Sequence, residues 1–292
     1  MNPPAGPHGL MLHYADGPGH PPTQGSLSAD DLRRLLDAYD EDRLVMARFF
    51  IDHHQVAHEK CDCVVVTIDD GLREALDVFL PVLDEYHLTA CWNVYTQPLV
   101  GVPHSLERYR WIRNHAFGGV EEFYREWRHW SGWPAHAPEG YLSEYGYLSE
   151  TDRDFRWWRN VRSAVLYQNV MDKIAAAGAA SPLSLSHWLS AGDLRALRDA
   201  GHVIGLHTHS HSTAFAGLSR EQQATEWATS KFILESILGE PVTTASWPCG
   251  QMTEYGVEWM RANGITLAWG ATMQGSPPWS APRWSSGYWR AA

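Results

Sequence analysis

The sequence has few cysteines and no long apolar run. Only four of its 292 residues are cysteine, which excludes the dense disulfide framework of small secreted proteins. Nowhere do about eighteen apolar residues follow one another, so a transmembrane helix is not expected. The N-terminal residues MNPPAGPHGLML lack the charged and apolar regions of a signal peptide. We therefore expect a cytoplasmic protein with four reduced thiols.

Basic residues are also scarce. Lys and Arg together number 23 against 34 Asp and Glu, which gives a net charge of −11. Nucleic acids and anionic membranes attract proteins with a basic face, so we expect neither as a partner. The hydrophobic fraction of 44% and the charged fraction of 20% are typical of a globular protein. No heptad repeat or apolar stripe indicates an oligomeric state.

Apolar runs alternate with helical patterns along much of the chain. The β-branched run CVVVTI (within 61–68) has the continuous apolar character of a strand buried on both faces. TACWNVY (89–95), HVIGLH (202–207) and TTASW (243–247) predict further strands. Capping-box patterns at Ser190 and Ser219 predict helix starts. Repeated strand–helix units predict parallel strands with right-handed crossovers, hence an α/β barrel or a doubly wound sheet.

Residues 97–187 interrupt this alternation. They are aromatic and charged, with helical fragments such as LERYRWIRNH and VEEFYREWRHW. We interpret them as a helical, Trp-rich insertion that covers or lines the site, within a single catalytic domain of residues 1–292. Because a tryptophan buries a large area, we expect five of them to pack the insertion onto the barrel rather than to contact a ligand: Trp127, Trp130, Trp133, Trp157 and Trp158.

Polar clusters follow three of the predicted strands. Asp69 and Asp70 follow the first, the run HTHSH (207–211) follows a later one, and WPCG (247–250) a third. In parallel α/β folds, ligands bind where the strands end. A catalytic zinc site combines imidazole nitrogens with a carboxylate oxygen and leaves one position open for water. Two of the histidines and one of the acids meet that requirement.

These segments resemble the motifs of the polysaccharide deacetylases, carbohydrate esterase family 4, also called the NodB homology domain. TIDDG (67–71) is similar to the first motif, T-F-D-D-G, and HTHSH (207–211) to the second, H-[S/T]-x-x-H. SWPCG (246–250) resembles the third, an aromatic-x-Pro-x-Gly element. The resemblance covers about residues 60–100 and 185–270. It implies a deformed (β/α) barrel that hydrolyses N-acetyl groups, often on amino sugars.

The resemblance also implies a role for individual residues. Asp69 would be the general base, and Asp70, His207 and His211 would bind the metal. Zinc is the first expectation, and cobalt, nickel or iron would also suit these ligands. The metal would polarise the amide carbonyl and activate a water, Asp69 would accept the proton of that water, and the backbone N–H of Cys249 would donate to the oxyanion.

The sequence departs from the family where an arginine often orients the base. Ser246 stands at that position in the third motif. APRW (281–284) resembles a late strand found in branches of the family that process exopolysaccharide or surface glycans. Arg283 would then pair with Asp69 in place of the missing arginine. A surface salt bridge is the alternative for this residue.

A second departure concerns the general acid. No histidine follows His211, so the family's late Leu-x-His acid is missing. LMLHYAD (10–16) resembles an N-terminal strand of the same branches, which makes His13 the candidate acid. The alternative is a histidine packed beside a strand, because the two look alike in sequence. His209 lies between the predicted ligands, and the alternation of an extended chain would turn it to the other side.

Three functions are compatible with these observations. The first is a metal-dependent N-deacetylase acting on an amino sugar or a sugar-containing precursor, such as a surface glycan or a natural-product intermediate. The second is an amidase of the same fold that opens a cyclic amide or imide or removes an N-formyl group. The third is a non-catalytic carbohydrate-binding relative, which would be expected to lose the acid pair and the ligand histidines. The sequence retains all of them.

Overall fold

Strands and helices alternate along the computed structural model, which describes residues 4–54, 62–143, 145–271 and 280–285. The strands are β1 (His8–Leu12), β2 (Val64–Asp69), β3 (Cys91–Val94), β4 (Val203–Leu206), β5 (Thr244–Ser246), β6 (Leu267–Trp269), β7 (Ser280–Ala281) and β8 (Arg283–Ser285). The α-helices are α1 (Ala29–Leu36), α2 (Ala47–His54), α3 (Arg73–Glu85), α4 (Ser105–His115), α5 (Val120–Ser131), α6 (Glu150–Val161), α7 (Ala164–Ala177), α8 (Ala191–Asp199), α9 (Arg220–Leu238) and α10 (Glu254–Ala262).

The eight strands form one parallel sheet in the order β7-β6-β5-β4-β3-β2-β1-β8. The strands β7 and β8 are two parts of one segment, separated by Pro282 alone. The first part pairs with β6, where Ala268 lies beside Ser280, and the second with β1, where Gly9 lies beside Arg283. One segment therefore joins both edges of a six-stranded sheet and closes it into a barrel. The predicted deformed (β/α) barrel is confirmed.

Strand β2 is buried on both faces, as its continuous apolar run predicts. Val66 and Ile68 belong to the main core between the sheet and the surrounding helices. Val65 belongs to a separate cluster that includes Trp269 of β6. Because successive side chains of a strand point to opposite faces, Asp69 shares the face of Val65 and points to the inside of the barrel.

Helices α8 and α9 begin at the predicted positions. Ser190 and Ser219 each accept a hydrogen bond from the third residue of the helix, and the side chains of Asp193 and Gln222 accept from the backbone of the cap in return. Both capping boxes are confirmed. They determine the residue at which each helix begins.

The stretch predicted as an insertion contains helices α4 to α7. Trp127 and Trp158 are buried there, in a core cluster formed by these four helices and separate from the main core. The expectation that the tryptophans pack is correct for this pair, but they form the core of the insertion instead of joining it to the barrel. Trp130 is 39% exposed. The assignment of insertion and barrel to a single domain stays a prediction.

The cysteines differ from the expectation of four reduced thiols. Cys91 and Cys249 are free, whereas Cys63 is disulfide-bonded, so the expectation is wrong for Cys63. Cys61 lies outside the described residues. None of the helices in the described ranges is long and apolar enough to cross a membrane.

Gly205 of β4 has no space for a side chain. An added Cβ would lie 2.5 Å from Asn93 Oδ1 and 2.7 Å from Thr244 Oγ1. We expect Gly205→Ala to lower the free energy of unfolding by about 1–3 kcal/mol, because an extra methyl in a filled interior displaces its neighbours. Chemical denaturation measures the change. The control is Gly217→Ala, where a Cβ meets nothing within 4 Å; equal losses in both variants would contradict the prediction.

Candidate active site

Three residues converge at the ends of β2 and β4. The Asp70 Oδ1 atom lies 3.4 Å from His207 Nε2 and 3.3 Å from His211 Nε2. The two Nε2 atoms are 3.1 Å apart, and all three side chains are buried. In the described part of the chain, this is the one group of His, Cys, Asp or Glu side chains arranged to hold a metal ion.

The backbone turns sharply where these side chains leave their strands. Asp70 has φ of 76° and His211 has φ of 47°, both in the left-handed region that non-glycine residues rarely adopt. Gly71 follows with φ of 65°, and a Cβ there would lie 2.8 Å from Val94. Only glycine fits this position, which accounts for the last residue of the TIDDG segment. Such backbone strain is typical of functional sites.

His207 is oriented by a backbone carbonyl. Its Nδ1 lies 3.0 Å from the oxygen of Ser246. Because a carbonyl only accepts, Nδ1 carries the proton and Nε2 presents its lone pair to the cluster. Burial alone would lower the pKa of His207, but the carboxylates of Asp69 and Asp70 raise it. For His211, burial is the largest effect and lowers the pKa to about 3.

One of the atoms that face one another in this cluster, Asp70 Oδ1, is buried without a hydrogen-bond partner. Buried polar atoms in proteins are nearly always paired. Two imidazole nitrogens and a carboxylate oxygen that face one another are the donor set that a divalent cation such as zinc prefers. The residues present therefore fit a metal.

Asp69 lies beside this cluster but has different partners. Arg283 Nη1 donates to both carboxylate oxygens, at 2.8 and 2.7 Å. Asn93 Nδ2 donates at 2.8 Å, and Ser246 Oγ at 3.2 Å. Burial is the largest single effect and would raise the pKa of Asp69, but Arg283, His207 and His13 together lower it to about 2. The carboxylate is therefore ionised at neutral pH.

Arg283 is 1% exposed, so it is buried beside Asp69 and not part of a surface salt bridge. Its Nη2 donates to Ser246 Oγ at 2.9 Å, and its Nε donates to the carbonyl of Gly270. Ser246, at the position where the family often has arginine, is thus part of the same network.

Asn93 is a residue of this network that the sequence reasoning missed. It lies beside Asp69 in the register of β2 and β3. A single amide in the otherwise apolar run TACWNVY was the signal that could have indicated it.

His13 follows β1 and lies at the edge of the same site. Its Nε2 is 3.6 Å from Asp69 Oδ2, and its side chain is 33% exposed. It lines the cavity instead of packing away beside the strand. The protein around it lowers its pKa through desolvation, which outweighs the opposing effect of Asp69 and Asp70.

Cys249 faces the cavity, whereas His209 does not. Cys249 lies in the turn Pro248–Gly250 with φ of 51° and lines the cavity. His209 points away from the cluster, and its Nδ1 lies 2.9 Å from Thr96 Oγ1. The carboxylate of Glu226 in α9 accepts the backbone N–H groups of His209 and Ser210, at 2.9 and 2.7 Å. Glu226 therefore fixes the loop that carries His211; its position in a helical pattern gave no signal of this contact.

These residues open onto a cavity of about 330 Å³. From the barrel it is lined by the cluster of Asp70, His207 and His211 and by Asp69, His13, Arg283 and Cys249. From the stretch predicted as an insertion it is lined by Tyr141, Leu142, Tyr145, Tyr147, Leu148, Arg156, Arg159 and Asn160, with Leu106. The insertion thus lines the site with tyrosine and arginine, while none of its six tryptophans lines the cavity.

The sequence matches one family model, described as polysaccharide deacetylase, over residues 168–268. This range includes the HTHSH and SWPCG segments but begins after the acid pair at 69–70, which it does not include. No curated protein matches the chain.

Several solved structures are similar over nearly the whole chain. The Streptococcus pyogenes deacetylase PplD in complex with acetate is 13% identical with a TM-score of 0.56, covering 97% of this chain and 93% of that one. IcaB from Ammonifex degensii is 16% identical with a TM-score of 0.56, covering 92% and 85%. The BpsB deacetylase domain from Bordetella bronchiseptica is 11% identical with a TM-score of 0.54, covering 95% and 93%. At these identities the likeness shows a common fold. With the family match, it confirms the predicted resemblance.

The buried pair of Asp69 and Arg283 generates a stability prediction. We expect Arg283→Met to lower the free energy of unfolding by about 3–5 kcal/mol, because it leaves the Asp69 charge buried without its partner. The double variant Asp69→Asn/Arg283→Met should lose less unfolding free energy than Arg283→Met alone, because it removes both buried charges. Denaturant unfolding in the presence of a chelator measures Asp69→Asn, Arg283→Met and the double variant against the unmodified protein.

The control for this experiment is Arg125→Met, because the Arg125 side chain is 77% exposed and should contribute little. If the loss of unfolding free energy in the double variant equalled the sum of the losses in the two single variants, Asp69 and Arg283 would not act as a buried pair.

Proposed function

We propose that this chain, which resembles the polysaccharide deacetylases, is a metal-dependent hydrolase that removes an N-acetyl group from an amino sugar or a sugar-containing precursor. The observation that carries the proposal is that the ionised Asp69 and the Asp70–His207–His211 cluster open onto the same cavity. The family match and the deacetylase neighbours support this class of enzyme. The cytoplasmic location expected from the sequence stays a prediction.

Asp70, His207 and His211 would hold the metal, with zinc as the first choice and cobalt, nickel or iron also compatible with the donor set. When bound, a divalent ion polarises the amide carbonyl and lowers the pKa of a water. The unpaired buried Oδ1 atom of Asp70 supports this assignment. So does the hydrogen bond from His207 to the Ser246 carbonyl, because metal-binding histidines are usually held this way.

Asp69 would act as the general base. It is ionised at neutral pH because Arg283 stabilises its charge, and Asn93 and Ser246 hold its orientation. These hydrogen bonds hold the Asp69 carboxylate in one orientation beside Asp70, His207 and His211. A base held in this way can accept the proton of the attacking water within hydrogen-bond reach.

His13 would act as the general acid and protonate the leaving amine. It lies on the cavity side of Asp69 at 3.6 Å, so acid and base border the same space. Its partial exposure allows it to regain a proton from solvent. The backbone N–H of Cys249, in the turn at the cavity wall, would donate to the oxyanion of the tetrahedral intermediate.

The cavity is large enough for about one sugar residue, the one that carries the N-acetyl group. Its volume of about 330 Å³ is at the lower limit for small-molecule sites. Tyr141, Tyr145 and Tyr147 line it and offer both ring faces and hydroxyl groups to a sugar. A panel of N-acetyl sugars, N-formyl sugars and cyclic imides tests the bond that is broken. Release of acetate supports the proposal, whereas ring opening or formate release without acetate would replace it with the amidase alternative.

Two substitutions separate the base from the metal ligands. We expect Asp69→Asn to keep the bound metal and to lose hydrolysis, because it removes the proton acceptor and leaves the donor set intact. We expect His207→Ala to lose both. Metal content by mass spectrometry and acetate release by a coupled assay measure the two properties. Undiminished turnover in Asp69→Asn would refute the assigned base.

A third substitution tests the acid. We expect His13→Gln to lower kcat by about 10²–10⁴-fold on an N-acetyl sugar, the usual contribution of a positioned acid. The loss should be much smaller on 4-nitrophenyl acetate, because its leaving group needs no proton.

The matched control is His20→Gln, since His20 bonds Asp77 at 2.9 Å and does not line the cavity. Equal losses on the amide and the ester would assign His13 a structural role instead.

A further inference from the structure

Two arginines of helix α6 line the cavity, and neither forms an ion pair with another described residue. Arg156 Nη2 donates to the amide oxygen of Gln24 at 3.3 Å, and its Nε is buried without a partner. Arg159 Nε donates to the Oδ1 of Asn160 at 2.9 Å. Its Nη2 lies 4.0 Å from the sulfur of Cys249. The partners of both guanidinium groups are neutral.

The acidic groups nearby have other partners. Asp152 accepts from the Tyr124 hydroxyl, from Gln24 Nε2 at 2.7 Å and from the backbone of Ser149 at 2.9 Å. Among the acids that line the cavity, Asp69 is paired with Arg283 and Asp70 faces the two histidines. The charges of Arg156 and Arg159 are therefore not compensated within the described part of the protein.

A third arginine lies close behind these two. Arg113 is 5% exposed, and its Nε has no partner. Burial lowers the pKa of Arg113, and the positive charges of Arg156 and Arg159 lower it further. A chain with a net charge of −11 thus concentrates unpaired positive charge at one wall of its cavity. Such charges are costly to desolvate unless an opposite charge joins them.

We propose that Arg156 and Arg159 form an anion subsite, and that the substrate carries a carboxylate or a phosphate ester on the sugar that bears the N-acyl group. The planar fork of arginine matches the oxygens of both anions. Arg159 contacts Cys249, the residue of the oxyanion donor, so the anion would lie within one sugar residue of the reacting amide. This inference rests on the proposed function, because it identifies the substrate class of the same cavity.

Kinetics with three substrates test the subsite: N-acetylglucosamine, its 6-phosphate, and N-acetylmuramic acid, which carries a carboxylate. We expect kcat/KM to be about 10- to 100-fold higher for at least one charged compound than for the neutral sugar, the value of one or two charge-assisted hydrogen bonds. Which charged compound is preferred distinguishes phosphate from carboxylate. Arg156→Gln and Arg159→Gln should reduce the rate far more on that compound than on the neutral sugar.

The matched control is Arg153→Gln, because Arg153 lies on the same helix but lines a different pocket; it should leave the preference unchanged. Arg159→Lys keeps the positive charge but loses the planar guanidinium, so it should retain part of the preference for the charged sugar. This variant also tests the subsite if the glutamine variants fold poorly. Equal rates on charged and neutral sugars in the unmodified protein, or equal losses on both in the variants, would overturn the subsite.

A binding measurement on a variant expected to be inactive tests the anion subsite separately from the proposed hydrolysis. On the Asp69→Asn protein loaded with zinc, calorimetry compares N-acetylglucosamine with its 6-phosphate and with N-acetylmuramic acid. We expect tighter binding of a charged sugar that is lost on adding Arg156→Gln and Arg159→Gln at unchanged metal content. If no N-acetyl sugar is hydrolysed but this arginine-dependent binding is found, the proposed function fails and the subsite stands. Binding that does not depend on the arginines would overturn the subsite even if acetate is released.

Discussion

The buried ion pair between Asp69 and Arg283 connects the strands of the barrel to the candidate site. It joins the end of β2 to the segment that pairs with both β1 and β6 and closes the barrel. Through Arg283 the same pair reaches Ser246 of β5 and the carbonyl of Gly270 after β6. A buried carboxylate is costly without a counter-charge, so the segment that closes the barrel also keeps Asp69 ionised.

The adjacent acids Asp69 and Asp70 have different partners because of the backbone conformation between them. Asp69 continues the alternation of β2 and points to the barrel interior, whereas Asp70 turns with φ of 76° toward His207 and His211. Two neighbouring carboxylates would repel each other if both lacked partners. Here one faces a guanidinium and the other faces two imidazoles. The left-handed turn, completed by Gly71, is what divides them.

Much of this arrangement could be predicted because it is local in the sequence. The buried strand before Asp69, the capping boxes at Ser190 and Ser219, and the convergence of polar segments at strand ends all follow from short patterns. Arg283 was reached through a family resemblance, since nothing near it in the sequence indicates Asp69. Asn93, the arginines of α6 and the separate core of Trp127 and Trp158 depend on contacts between distant segments, which composition and periodicity do not encode.

We propose that the cluster of Asp70, His207 and His211 and the paired Asp69 form one hydrolytic site. The most direct test is acetate release from an N-acetyl sugar by chelator-treated protein, measured against the equivalents of zinc or another divalent metal added back. We expect no release of acetate without metal, and recovery of activity that saturates at one ion per chain. Full activity in the metal-free protein, or one bound ion per chain with no hydrolysis of any N-acyl substrate, would contradict it.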